Sequence, residues 1–308
     1  MQTRRGTFPW QLAFALLGGI WGCSFLFIKL GLQSFTPVQV AFGRLAIGAI
    51  TLVVIAALTR TGLPRRRSTW RHLAVEALLF CSIPFVLFSW AETQVSSILA
   101  SIVNSMTPLV TMLVVVAAFP EERLSRQRVV GLAVGFLGAL VVLGVWNGLG
   151  EGALVGVLAC LGAIACYAVA FPYTRRHLAG TGDGPIAIAA GQVLLGALFL
   201  VPVVLGEAVL GGGTVRLPLA MDTVLGMLAL GSLGSGVAYI LNTHIVMSAG
   251  GTIASSVTYV TPAVAVVAGV LVLSEPLAWH EPVGTVIVLV GVAISQGRLR
   301  LPGGRVNP

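Results

Sequence analysis

The chain has 308 residues, 57% of them hydrophobic and 9% charged, with a mean hydropathy of +0.99. A water-facing domain carries about 25% charged residues, so most of this surface must meet lipid. The formal charge of +8 does not point to nucleic acid, because the arginines sit in short clusters between apolar runs and build no continuous basic face.

The apolar runs fall at 10–30, 36–58, 72–90, 95–118 and 127–146, then at 153–173, 186–206, 223–246, 252–273 and 282–297. A bilayer core about 30 Å thick takes roughly 20 apolar residues of helix to cross, so ten transmembrane helices are predicted. The fold class expected is an all-α integral membrane protein. Breaks such as Thr36-Pro37, Pro64 to Arg67, Pro120-Glu121-Glu122, Gly182 to Pro185 and Glu275-Pro276 separate the runs, and no linker is long enough to part soluble domains. The first run is too long for a signal-peptide core and is read as a retained helix.

Lysine and arginine favour the cytoplasmic side of short loops. With the N-terminus inside, that side holds Arg4, Arg5, Arg60, Arg65, Arg66, Arg67 and Arg71, then Arg123, Arg126, Arg128, Arg175, Arg176, Arg298, Arg300 and Arg305. The outer loops hold Arg216 alone. Both termini are therefore expected in the cytoplasm, in a plasma or inner membrane.

The two halves of the sequence repeat. Pro37-x5-Gly43-Arg44-x3-Gly48-Ala49 recurs as Pro185-x5-Gly191-Gln192-x3-Gly196-Ala197, and Thr107-Pro108 recurs as Thr261-Pro262. Glu122-x8-Gly131-x6-Gly138 recurs as Glu275-x8-Gly284-x6-Gly291, and Trp21-x7-Lys29 has a weaker echo in Tyr167-x7-Arg175. These matches place one repeat in 8–147 and a second in 152–298. Each holds five spans, an odd number, so the second is expected upside down relative to the first. Inverted repeats of this kind recur in secondary transporters, with the substrate site at their interface.

Polar residues at helical spacing must face protein or a cavity in a bilayer. The fourth run carries Ser97, Ser101, Asn104 and Pro108; the ninth carries Ser255, Thr258 and Pro262. The eighth lines up Ser232, Ser235, Tyr239 and Asn242, where the third offers Cys81, Phe85 and Phe88. Two readings stand beside each other: hydroxyls that glue helices together, and a substrate cavity. The cavity set is Trp21, Ser24, Phe85, Trp90, Ser101, Asn104, Tyr167, Tyr239, Asn242, Thr258 and Tyr259. Pro108 and Pro262 each remove a backbone hydrogen bond and are expected as mid-helix kinks, static or bendable.

Lys29, Arg44, Glu76, Glu92 and His244 are the ionisable groups within or near the spans. Two roles fit Arg44, with Lys29 beside it: closing a gate, or attracting an anionic substrate group. Gly18/Gly22, Gly131/Gly135 and Gly152/Gly156 allow close helix contact, either within the bundle or on a dimer face. Cys23, Cys81, Cys160 and Cys166 show no metal or disulfide spacing and are read as small packing residues. No catalytic constellation, cofactor motif or metal site is expected, and with no G-x4-GK[ST] loop ATP is not the expected driver; a secondary transporter, an exporter of small metabolites, is the expected function, with a non-transport membrane enzyme or scaffold as the remaining alternative.

Trp21-Gly22 with Phe25 and Lys29, Pro37-x6-Arg44, and the Pro108/Glu122/Gly131/Gly138 block with its second copy resemble the drug/metabolite transporter superfamily, EamA type. The resemblance covers nearly the whole chain. It implies ten helices with both termini inside and a central cavity between the repeats. It also implies a small-molecule substrate such as an amino acid, or, in more distant relatives, a sugar phosphate. Gln192 in place of a second Arg44, and Ala165-Cys166 where relatives often carry tryptophan, depart from the pattern.

Overall fold

The computed structural model describes residues 9–118, 126–144, 146, 151–213, 215–295 and 299. Pro120, Glu122, Arg123 and the terminal arginines of the orientation argument lie outside them. Ten helical spans run in order: α1 Trp10–Leu32, α2 Pro37–Leu58, α3 Arg67–Ala91, α4 Ser97–Ala118, α5 Arg126–Val142, α6 Glu151–His177, α7 Pro185–Val209, α8 Met221–Ala249, α9 Gly251–Leu273 and α10 His280–Ser295. Eight are long and apolar enough to cross a membrane; α5 and α10 are shorter apolar helices. The chain is an all-α membrane protein of two inverted five-helix repeats.

Local chemistry fixes the helix starts. Thr36 caps α2 by accepting from the Gln39 N–H at 3.2 Å, the Gln39 side chain accepts from the Thr36 N–H, and Pro37 takes the first position. The proline is free of cost there, because that N–H has no partner inside the helix. Gly184 and Pro185 start α7 at the equivalent place in the second repeat.

The two repeats embrace through matched contacts. Helix α2 packs on α7, α5 on α10 and α4 on α9, each helix against its own counterpart. The other pairs come in mirrored sets: α1 on α8 and α6 on α3, α1 on α9 and α6 on α4, α2 on α8 and α7 on α3. Exchanging the repeats leaves this pattern unchanged, which is the property of a two-fold axis running between them.

Small residues set the closest approaches. A Cβ at Gly138 would stand 3.0 Å from the Gly284 carbonyl, and Gly131 meets the backbone of Gly291 in the same seam. Gly18 and Gly22 face Val260 and Val264, while Gly152 and Gly156 face Gln94 and Val95. All three GxxxG pairs are thus used inside the bundle. With lipid as apolar as the side chains, such close packing is a main force holding helices together.

Two irregularities recur in both repeats. α3 widens to a π-helical turn over Ala77–Ser82, and α8 does so over Leu230–Val237, at the equivalent level. α4 and α9 are discontinuous rather than kinked, which corrects the expectation for their prolines. α4 stops at Asn104 and restarts at Thr107, so Pro108 lies in the first turn of the second segment. α9 passes through a 3-10 turn at Ser256–Tyr259 and restarts at Thr261, with Pro262 at the new start. In a first turn the missing N–H breaks no hydrogen bond.

Candidate functional site

A cavity of about 50 Å³ lies at the two-fold interface, midway along the spans. α1 contributes Trp21, Ser24, Phe25 and Ile28, and α2 contributes Arg44. α3 adds Phe80, Phe85 and Phe88; α6 adds Tyr167 and Phe171; Asn104, Tyr239 and Thr258 complete the wall from α4, α8 and α9. Asn104 and Thr258 occupy equivalent places beside the two helix breaks. In this conformation the space admits a few waters, each needing roughly 10–15 Å³. A solute of amino-acid size requires the repeats to part.

The wall is mostly aromatic. Phe80 is its hub, with ring centroids 5.0 Å from Tyr167, 4.9 Å from Phe171 and 5.7 Å from Tyr239. Trp21 lies edge-on to Tyr239 at 6.4 Å, and Phe25 meets Phe88 at 5.7 Å. The polar tips of two rings are anchored by the π-helical turns, whose wider hydrogen-bond spacing leaves carbonyls available. Trp21 Nε1 donates to the Gly234 carbonyl at 3.3 Å, and the Tyr239 hydroxyl donates to the Phe80 carbonyl at 2.6 Å.

Arg44 is the single charged side chain in the wall. It is 4% exposed; its Nε donates to Ser235 Oγ at 3.1 Å, and its guanidinium carbon sits 3.5 Å from the Phe85 ring centroid. A cation over a desolvated aromatic face gains about 2 kcal/mol. The approach depends on glycine: a Cβ at Gly48 would stand 2.8 Å from the Ser235 Cβ, and at Gly196, its counterpart, 2.9 Å from the Cys81 Cβ. In the second repeat Gln192 replaces the arginine and donates to Glu76 at 3.4 Å, and Thr174 donates to the same carboxyl at 2.6 Å.

Of the sequence-predicted residues, Trp21, Ser24, Phe85, Asn104, Tyr167, Tyr239 and Thr258 meet at the cavity, together with Arg44. Five others lie elsewhere. Trp90 is 38% exposed on the bundle surface. Ser101 and Asn242 are buried between helices, where Ser101 Oγ and Asn242 Oδ1 find no hydrogen-bond partner among the described residues. Tyr259 packs against the Leu109, Val288 and Val292 cluster. Lys29 points away from the cavity, its ammonium donating to the carbonyls of Glu92 and Val95, at 2.5 and 2.8 Å.

Phe80 and Phe171 line the cavity without having been singled out from sequence. The repeat held the signal for Phe171, which stands to Tyr167 as Phe25 stands to Trp21. A larger void of about 330 Å³ lies among α4, α5, α6 and α10, but its lining, from Ile102 to Val288, is wholly apolar. It offers no group to orient a solute, so the smaller central cavity is the candidate site. Among the described residues no cluster of metal-ligating side chains occurs.

Two inverted repeats packed around a central, mixed aromatic and polar pocket are a build that recurs in membrane transporters. The sequence profile of the EamA-like transporter family matches residues 9–144 and again 154–296. The chain belongs to that family. An uncharacterized transporter of Archaeoglobus fulgidus is 24% identical, with 92% of this chain and 97% of the relative covered. A probable amino-acid metabolite efflux pump of Escherichia coli is 23% identical, with 91% and 92% covered. A solved crystal structure superposes with a TM-score of 0.67 at 20% identity, covering 93% of this chain and 97% of the other, and shows the same fold.

Proposed function

We propose that this protein is a secondary transporter that exports small amphipathic metabolites, amino acids among them, by alternating access through the central cavity. The observation that carries this reading is the placement of the pocket on the two-fold axis, lined by both repeats. Exchange of the repeats' conformations then moves the opening from one face to the other. The substrate cavity consists of Trp21, Asn104, Tyr167, Tyr239 and Thr258 around Arg44, and the repeats are the units 8–147 and 152–298. The helix breaks at Pro108 and Pro262 let half-helices tilt separately.

Export and amino-acid cargo draw support from relatives in Escherichia coli and Salmonella typhimurium named probable amino-acid metabolite efflux pumps. The arginines at the α2–α3 and α6–α7 connections support cytoplasmic termini in the plasma or inner membrane. A sugar-phosphate exchanger is the weaker reading, because Lys29 is engaged with backbone carbonyls and leaves Arg44 as the single cation in the wall.

Counterflow of labelled amino acids into proteoliposomes containing the purified protein tests the proposal. Saturable uptake that falls at least about tenfold in Asn104→Ala, with that variant still folded, is the expected result; tenfold corresponds to about 1.4 kcal/mol. Protein that moves no solute across a metabolite panel would refute the transporter reading.

A further inference from the structure

The central cavity holds one permanent charge and no opposite charge. A guanidinium stays protonated at any physiological pH and offers five N–H donors in a planar fork. Arg44 uses Nε on Ser235 Oγ, at 3.1 Å, and one face of the guanidinium on the Phe85 ring. No hydrogen bond joins its terminal Nη groups to another described side chain, and no acidic residue lines the cavity. Glu92 is the carboxylate whose field reaches Arg44. Its two oxygens are fully buried and hydrogen-bond to nothing among the described residues.

Burying a charge is costly unless it is paired and hydrogen-bonded. Ser235 and Phe85 offset part of that cost and fix the plane of the fork, leaving the Nη groups for an anion. The pairing suited to such a fork is a bidentate carboxylate. One cation balances one negative charge, so a doubly charged phosphate is left half neutralised. A substrate ammonium group finds no carboxylate partner in the wall, only aromatic faces and the Asn104 and Thr258 side chains.

Resting on the reading of this cavity as the transport site, we infer that it selects organic monocarboxylates through Arg44 and does not require an α-amino group. The carboxylate of the solute meets the Nη groups, and its apolar body lies among Phe80, Phe88 and Tyr167. Deaminated acids bind as well as the matching amino acids, or better. Amides of those amino acids, which keep the ammonium and lose the negative charge, are rejected.

The probes are phenylalanine, 3-phenylpropionate, phenylalaninamide and phenyl phosphate, applied to detergent-purified full-length wild type, Arg44→Gln and Arg44→Lys. Binding is read by quenching of tryptophan fluorescence and by the ligand-induced rise in Tm. Counterflow in proteoliposomes is measured separately. In wild type, 3-phenylpropionate binds at least as tightly as phenylalanine, and the other two about 10- to 100-fold more weakly, as expected for a charge-assisted bidentate pair. Arg44→Gln removes the preference for the acids, while Arg44→Lys keeps part of it and guards against a folding defect in the first variant.

Equal binding of acid and amide by wild type, no binding of either acid, or unchanged acid preference in Arg44→Gln each overturns the inference. Transport without acid preference would overturn it and leave the transporter reading standing. Acid binding with no transport of any probe would uphold the selectivity and count against the transporter reading.

Discussion

The carbonyls of Phe80 and Gly234 occupy equivalent positions in the two π-helical turns, and each accepts a hydrogen bond from an aromatic side chain of the same cavity. An ordinary α-helix keeps its carbonyls occupied with its own N–H groups. Widening the turn in α3 and α8 makes one carbonyl per repeat available at the centre of the molecule. The inverted repeat therefore supplies a matched pair of ring anchors, although phenylalanine in one repeat corresponds to glycine in the other.

The first prediction concerns those anchors. Tyr239→Phe keeps the ring among Phe80, Phe85 and Trp21 but leaves the buried Phe80 carbonyl without its 2.6 Å donor. An unsatisfied buried group costs about 1–3 kcal/mol, so the variant should unfold several degrees below wild type in detergent. Trp21→Phe loses a longer bond, 3.3 Å, at a less buried site, and should cost less. A Tyr239→Phe protein with wild-type Tm and transport would show that the anchor is idle.

Hydrophobic periodicity and the repeated Pro, Gly and Glu spacings made the ten spans, the two-fold architecture and most of the cavity legible in the sequence. Those signals are local or are carried in duplicate. Which face of a helix end meets lipid is neither, and Trp90 was misplaced for that reason. It lies two residues beyond Phe88, about 200° further round the helix, and so faces the surface, whereas Phe88 is 3% exposed. The π-helical turns were also invisible, since the extra residue in a turn is set by packing against the opposite repeat and not by propensity. Phe80, which lines the cavity, lies in one of them. Trp90→Ala should accordingly keep transport within about twofold of wild type, a change of about 0.4 kcal/mol. Tyr167→Ala should abolish most of it in the same proteoliposome assay.

Glycine substitutions separate the packed seam from the surface. At Gly138 a Cβ would lie 2.9 Å from the Val288 side chain and 3.0 Å from the Gly284 carbonyl. Relief requires α5 and α10 to move apart, because backbone cannot rotate away. Overpacking costs about 1–3 kcal/mol and sometimes more, so Gly138→Ala should lower both the yield of monodisperse protein and Tm. At Gly19 nothing stands within 4 Å of the added carbon. Gly19→Ala should be neutral or stabilise by up to about 1 kcal/mol, the difference in helix propensity. Equal Tm values for the two variants would contradict the seam.

The last prediction concerns the α3–α4 connection, where two elements converge. The Glu275 carboxylate, beyond the end of α9, accepts from the Ser97 N–H at 3.0 Å, the Ser97 hydroxyl at 2.8 Å and the Ile98 N–H at 3.3 Å. An anion at the positive end of a helix is stabilising, and α4 begins there. From α1, Lys29 ties down the Glu92 and Val95 carbonyls of the same connection. On the opposite face Arg175, the counterpart of Lys29, packs against Gly250 in the α8–α9 turn. Hydrogen bonds to charged groups contribute about 1.5–3 kcal/mol each, and 1.4 kcal/mol changes an equilibrium tenfold. With the four native cysteines replaced, Asn104→Cys reports on access to the cavity through a membrane-impermeant thiol reagent. Adding Glu275→Ala or Lys29→Met should speed its labelling about tenfold or more from the α3–α4 face and slow it from the other. Arg175→Met should do the reverse. Identical labelling rates in all backgrounds would mean that these contacts hold helix ends in place without governing access.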